Sequence, residues 1–135
     1  MKMSQSFVKT LRSAPKDETA RSAQYLVRAG YVYKELAGVY DYLPLGLRVL
    51  EKIKNIVRDE LNKIGCQEVQ LSALQNPKLW EKTSRWDDQS VDIWFKTKLS
   101  TGGELGLAPT HEEPITNLMK TYLESYKDLP VYVYQ

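Results

Sequence analysis

One run constrains the fold more than any other. Between Leu45 and Ile64 the apolar residues Leu47, Leu50, Ile53, Val57, Leu61 and Ile64 recur at spacings of three and four, the period of one face of an α-helix. Lys52, Arg58, Asp59 and Lys63 take the other face, and the charges from Glu51 to Lys63 read mainly as a solvated surface. Gly65 supplies the stop. About 20 residues make a rod of roughly 30 Å. A chain of 135 residues has room for one domain. In so small a body such a rod spans a sheet or meets a partner.

Shorter elements surround it. Asp17–Ala29 reads as a helix, with Ala20, Ala23, Leu26 and Val27 on one face, acidic residues early and Gly30 as the stop. Upstream, Met1–Pro15 reads as irregular, with Phe7, Val8 and Leu11 docking on the body. The tyrosine-rich stretch YVYKELAGVYDYLPLG gives short extended pieces turning at Gly38. CQEVQLSAL (66–74) alternates as a strand, and NPKLWEKTSRW opens a short helix at Asn76 and Pro77. VDIWFKTKLS and ELGLAP flank Gly102–Gly103 as a hairpin. EEPITNLMKTYLES is amphipathic, with Ile115, Leu118, Met119, Tyr122 and Leu123 on one side. LPVYVYQ begins a strand whose β-formers meet no turn or polar cap, so the natural protein is expected to continue past Gln135. There is no internal repeat and no low-complexity segment.

Composition excludes some classes. With 19 basic and 17 acidic residues, the chain carries no electrostatic footprint for nucleic acid on its own. One cysteine, Cys66, and one histidine are too few for a structural zinc site; Cys66 reads as a small packed apolar residue in a reducing compartment. No segment has the length or apolarity of a membrane span, and no signal peptide is visible, so a cytoplasmic location is expected. Trp80, Trp86 and Trp94 read as packing residues. Arg85 reads as a surface or interface ion pair, ahead of a contact to tRNA or a phosphate.

The chemistry gathers in GLAPTHEEPIT, which holds the histidine. Two readings fit. THEE matches a capping box, with the Thr110 hydroxyl on the Glu113 backbone and the Glu113 carboxylate reaching back. That register puts Pro114 at the fifth position, counting Thr110 as the cap, where its missing N–H would leave the Thr110 carbonyl unpaired. With Pro114 instead at the first helical position, PTHE is a loop. Thr110 and Glu112, two apart, then share a side, a hydroxyl beside a carboxylate fit to cradle an ammonium group. His111 would face away in a structural role.

Several blocks together, RAGYVYKELAGVYDYLPLGLRVLEKIKNIVRDELNKIGCQEV, LQNPKLWEKTSRW, LAPTHEEPIT and SYKDLPVYVYQ, resemble in that order the start of bacterial-type prolyl-tRNA synthetases, from about Gln5 to Gln135. The resemblance implies an α+β fold of class II synthetase type: an antiparallel sheet flanked by helices, incomplete at the C-terminus. Residues 1–135 would be the N-terminal portion of the catalytic domain. Residues 45–74 would be motif 1, with Leu47, Leu50, Ile53, Val57 and Leu61 on a homodimer interface. The T-x-E loop at 109–113 would hold proline's amino group through Thr110 and Glu112. The implied activity is proline–tRNA ligation: ATP and magnesium ion support formation of prolyl-adenylate, and the prolyl group passes to tRNA(Pro).

Two departures matter. The motif 1 pattern usually carries a proline where Ser72 stands, which leaves the backbone there freer. WDDQSVDIWFKTKLSTGGE also differs from the commonest bacterial pattern, as in a divergent branch. The six arginines end at Arg85, whereas the resemblance places the ATP-binding arginines in motifs 2 and 3, beyond Gln135 with the anticodon-binding domain. No catalytic residue and no metal ligand is therefore assigned within the chain, and the chain alone is expected to be inactive. The alternative reading is a non-catalytic module of the same fold that dimerises or binds an amino acid.

Overall fold

A computed structural model describes residues 2–135. It divides into two units, Met1–Glu60 and Leu61–Gln135. The sequence elements appear as α1 (Arg21–Arg28), β1 (Val32–Leu36), β2 (Val39–Tyr42), α2 (Pro44–Lys63), β3 (Gln67–Glu68), β4 (Leu74–Gln75), α3 (Pro77–Glu81), β5 (Phe95–Lys98), β6 (Glu104–Leu107), α4 (Glu112–Tyr122) and β7 (Val133–Tyr134).

In the first unit α1 is shorter than expected. Asp17–Ala20 stays outside the helix because its carboxylates are engaged elsewhere. Asp17 and Glu18 both meet the Lys34 ammonium, at 2.9 and 3.3 Å, and the Tyr40 hydroxyl donates to Glu18. Lys34 and Tyr40 face each other across the antiparallel β1–β2 hairpin, so the acidic pair pins the approach to α1 onto that hairpin instead of capping a helix. Val27 and Val32 are buried. Leu26, expected on the covered face, is exposed, as are Phe7 and Leu11, while Val8 does pack, its Cγ1 against Gly30. Gly46, in the first turn of α2, sits so close to the Tyr31 carbonyl that any Cβ would overlap it. That approach makes glycine obligatory there.

α2 runs within one residue of its expected bounds at both ends. Its only buried residue is Gly46. Leu47, Ile53 and Val57 are exposed, and Leu50 and Leu61 are partly covered.

The second unit holds the other elements. The strand expected over 66–74 survives only at its ends, as β3 and β4, which join different sheets. β4, β6 and β5 form an antiparallel sheet in that order; β3 pairs with β7 in parallel. The α+β mixture of helices and sheets stands, with three small sheets among the described residues, one of them a parallel pair. The segment between β3 and β4 leaves the ladder because the Ser72 carbonyl accepts side-chain bonds from Gln75 and His111. The β5–β6 turn uses Gly102 and Gly103, both at positive φ, a region only glycine enters without strain.

α3 starts as expected, with the Asn76 side chain accepting from the Lys78 N–H and Pro77 at the first position. It carries Trp80, the one fully buried side chain among the described residues. Burying an indole of roughly 200 Å² contributes about 5 kcal/mol before entropy is counted. Trp94 meets Trp80 edge-on and Trp86 tilted, each at 4.8 Å between centroids. Gly106 of β6 lies flat under Trp94 and Trp86. This packing fixes the strand that leads into the loop ahead of α4.

Candidate functional site

β6 ends at Leu107, and the Ala108 N–H donates to the Ala73 carbonyl. The chain then crosses Pro109–His111 into α4. The helix starts in neither expected register. His111 is the residue before the first turn, Glu112 is its first residue, and Pro114 its third. The first N–H groups of a helix have no intrahelical acceptor, so Pro114 forfeits no bond there. The first helical bond is Ile115 N–H to the His111 carbonyl at 3.0 Å. Thr110 does not cap the helix backbone. Its hydroxyl donates to the Glu112 carboxylate.

That contact brings the two expected site residues together. Glu112 is held below the usual carboxylate range. The Thr110 hydrogen bond is the largest cause, followed by its own backbone N–H; partial burial opposes them, and the positive charge of Arg85 assists. With its proton given to Glu112, the Thr110 oxygen offers only lone pairs to a third group. The pair therefore presents acceptors and one negative charge.

His111 lies on the other side of the loop. Its Nε2 is 3.2 Å from the Ser72 carbonyl and its Nδ1 3.1 Å from Gln135 Nε2. The Gln135 amide oxygen already accepts from the Leu71 N–H, so its NH2 faces the ring. Nδ1 must then accept, and Nε2–H donates to Ser72. The imidazole ties the loop to Ser72 and Gln135.

Glu112 borders a cavity of about 330 Å³ whose lining also includes Leu79, Lys82, Thr83, Arg85 and Glu113 from α3, the segment after it and α4. Thr110 stands outside that lining. Sequence reasoning treated Glu113 only as a cap partner and Arg85 as a generic ion pair. The structure joins them: Arg85 donates to Glu113 Oε1 at 2.7 Å, and the Thr83 hydroxyl to the same oxygen at 3.2 Å. The partners are 28 residues apart, and no short motif announces the pairing. Among the described residues no group of three or more His, Cys, Asp or Glu side chains is placed to hold a metal ion, and no helix is long and apolar enough to cross a membrane.

The chain is 47 % identical over all 135 residues to the proline–tRNA ligase of Thermotoga neapolitana, and 46 % to that of Thermotoga maritima. It is 47 % identical over 134 residues to that of Streptomyces griseus. It spans about a quarter of the length of these relatives, 23–24 %. Among solved structures, Cryptosporidium parvum prolyl-tRNA synthetase complexed with halofuginone and AMPPNP superposes with a TM-score of 0.72 at 16 % identity, covering 82 % of this chain and 24 % of that one. Giardia lamblia prolyl-tRNA synthetase in complex with prolyl-adenylate gives 0.66 at 22 %, covering 76 % and 22 %. These likenesses establish the fold. No family model matches the chain.

Proposed function

We propose that this chain, similar along its whole length to part of the bacterial proline–tRNA ligases, is the N-terminal portion of the catalytic domain of such an enzyme and supplies part of its proline pocket. The reading is supported by the sequence similarity along the whole of this chain. The observation that carries it is the Thr110–Glu112 contact beside the cavity.

Proline's nitrogen carries a positive charge and two N–H donors. The ionised Glu112 carboxylate accepts one of them in a charge-assisted bond, and the Thr110 oxygen accepts the other. Fixing the nitrogen at two points aims the substrate carboxylate, which is the nucleophile toward ATP in forming prolyl-adenylate, and positioning of this kind is a large share of such catalysis. The prolyl group then passes to tRNA(Pro).

The chain's own donors do not fit magnesium ATP. Among the described residues the acidic side chains form no ligand cluster, and Arg85 is committed to Glu113. Nucleotide, magnesium and tRNA are assigned to parts of the enzyme outside these residues, and so is the anticodon-binding domain. The exposed row Leu47, Ile53 and Val57 on α2, with Leu50 and Leu61 beside it, is assigned to a homodimer contact at motif 1 (45–74). The enzyme is assigned to the cytoplasm.

The test is a titration of the 135-residue chain with L-proline, followed by NMR. Shifts should concentrate at Thr110–Glu113 and saturate. Glu112→Ala should abolish them, and Thr110→Ala should weaken binding about tenfold, the value of one neutral hydrogen bond of about 1.4 kcal/mol. Retained affinity in both variants would return the stretch to a helix start with no ligand.

A further inference from the structure

Glu113 follows the residue assigned to the amino group and borders the same cavity. It is 9 % exposed. One carboxylate oxygen takes Arg85 and Thr83; the other is buried with no hydrogen-bond partner among the described residues. A carboxylate kept so is a poor source of stability. Desolvation of the Glu113 carboxylate offsets part of its attraction to Arg85, whose side chain is 38 % exposed, and an unpaired buried oxygen adds a further cost. What such a pair supplies is a fixed geometry.

The anchor on the far side is firm. The Arg85 N–H donates to the Trp80 carbonyl at 3.0 Å, and its guanidinium lies 5.4 Å from the centre of the Trp80 ring. Trp80 is fully buried. A continuous set of contacts thus runs from Trp80 through Arg85 to Glu113, one residue from Glu112.

We propose that Glu113 is a positioning residue: docked on Arg85 and Thr83, it fixes the first turn of α4 and so the direction in which Thr110 and Glu112 face. The inference rests on the reading of those two residues as the amino-group site, but its central claim concerns the order of the loop with no ligand present.

The test compares Glu113→Met, which removes the dock while filling the space, with Glu113→Gln, which keeps an acceptor for Arg85 and Thr83. Three measurements are made on the 135-residue chain: melting temperature, backbone ¹⁵N order parameters without ligand, and L-proline affinity. Glu113→Met should melt at or above the unsubstituted chain. Its order parameters at 110–113 should fall from about 0.85 to below about 0.6, and its proline affinity at least about tenfold. Glu113→Gln should keep both near their original values. Glu113→Met with an ordered loop and full affinity would overturn the proposal. If the unsubstituted chain takes up no proline, the amino-group reading fails, and the order parameters decide the positioning claim alone. Should Glu113→Met not fold, Arg85→Met breaks the same dock from its other side; it leaves the Glu113 carboxylate unpaired and should melt lower, so its order parameters and proline affinity carry the reading.

Discussion

The hydroxyl of Thr110 gives its proton to the carboxylate of Glu112, two residues on, across the start of α4. A helix-capping threonine would have given that bond to the backbone. The side-chain contact ties the acidity of one residue to the presence of the other.

Thr110→Val removes the hydroxyl and keeps the shape. Because that bond is the first cause of the lowered Glu112 pKa, the variant's Glu112 should titrate closer to the ordinary carboxylate value of about 4.3. Carboxyl ¹³C shifts followed against pH read this directly. An unchanged midpoint would mean the contact does not hold the charge.

Gly106→Ala should destabilise the second unit. An added Cβ would stand 2.7 Å from Trp94 Cε3 and 2.9 Å from Trp86 Cη2. Both rings belong to the cluster around buried Trp80, so neither swings aside cheaply. Overpacking of this kind costs about 1–3 kcal/mol, and urea denaturation followed by tryptophan fluorescence would measure it. A neutral result would show the cluster to be loosely held.

The Asp17–Glu18–Lys34–Tyr40 group makes a prediction about pH. Glu18 is held below the usual carboxylate range, with the Tyr40 hydroxyl as the first cause, and Asp17 is held below it chiefly by Lys34. Both contribute stability above their unfolded pKa values, and that stability is lost as pH falls through the lower folded ones. Lys34 and Tyr40 are raised, by Asp17 and Glu18 respectively; their contributions are complete below the unfolded values and vanish as pH rises through the folded ones. Stability from this group is therefore flat around neutrality, with an acid limb below about pH 4 and an alkaline limb above about pH 10. Tyr40→Phe should move the Glu18 midpoint upward and shrink the acid limb in melting curves taken from pH 3 to 7. An acid limb of unchanged depth would remove Tyr40 from this role.

These contacts also show what a sequence exposes. α2 was legible because its pattern is local, repeated over five turns and closed by Gly65. The start of α1 was not, because Asp17 and Glu18 look like first-turn acids until Lys34 and Tyr40 are brought beside them. The strand over 66–74 broke for the same reason: Ser72 spends its carbonyl on His111, 39 residues away. At the site, the Thr110–Glu112 spacing was readable. The α4 register was not, since a proline is tolerated at any of the first few helical positions. The Arg85–Glu113 dock had no local signal at all.

The exposed face of α2 carries the last prediction. Leu47, Ile53 and Val57 are 47 %, 54 % and 51 % exposed, although their spacing is that of a face built to be covered. Full burial of one such side chain is worth about 1.5–3 kcal/mol, so a self-complementary row of them supports association of two copies. The 135-residue chain should therefore show concentration-dependent dimerisation in sedimentation equilibrium. Ile53→Glu should weaken it by about a hundredfold or more, since it removes an apolar contact and also buries an unpaired charge. Ile53 is more than half exposed, so far-UV circular dichroism of the variant should match the original. A chain that stays monomeric at several hundred micromolar, or a variant that associates as tightly as the original, would remove the α2 row from the dimer contact and leave its exposure without a partner.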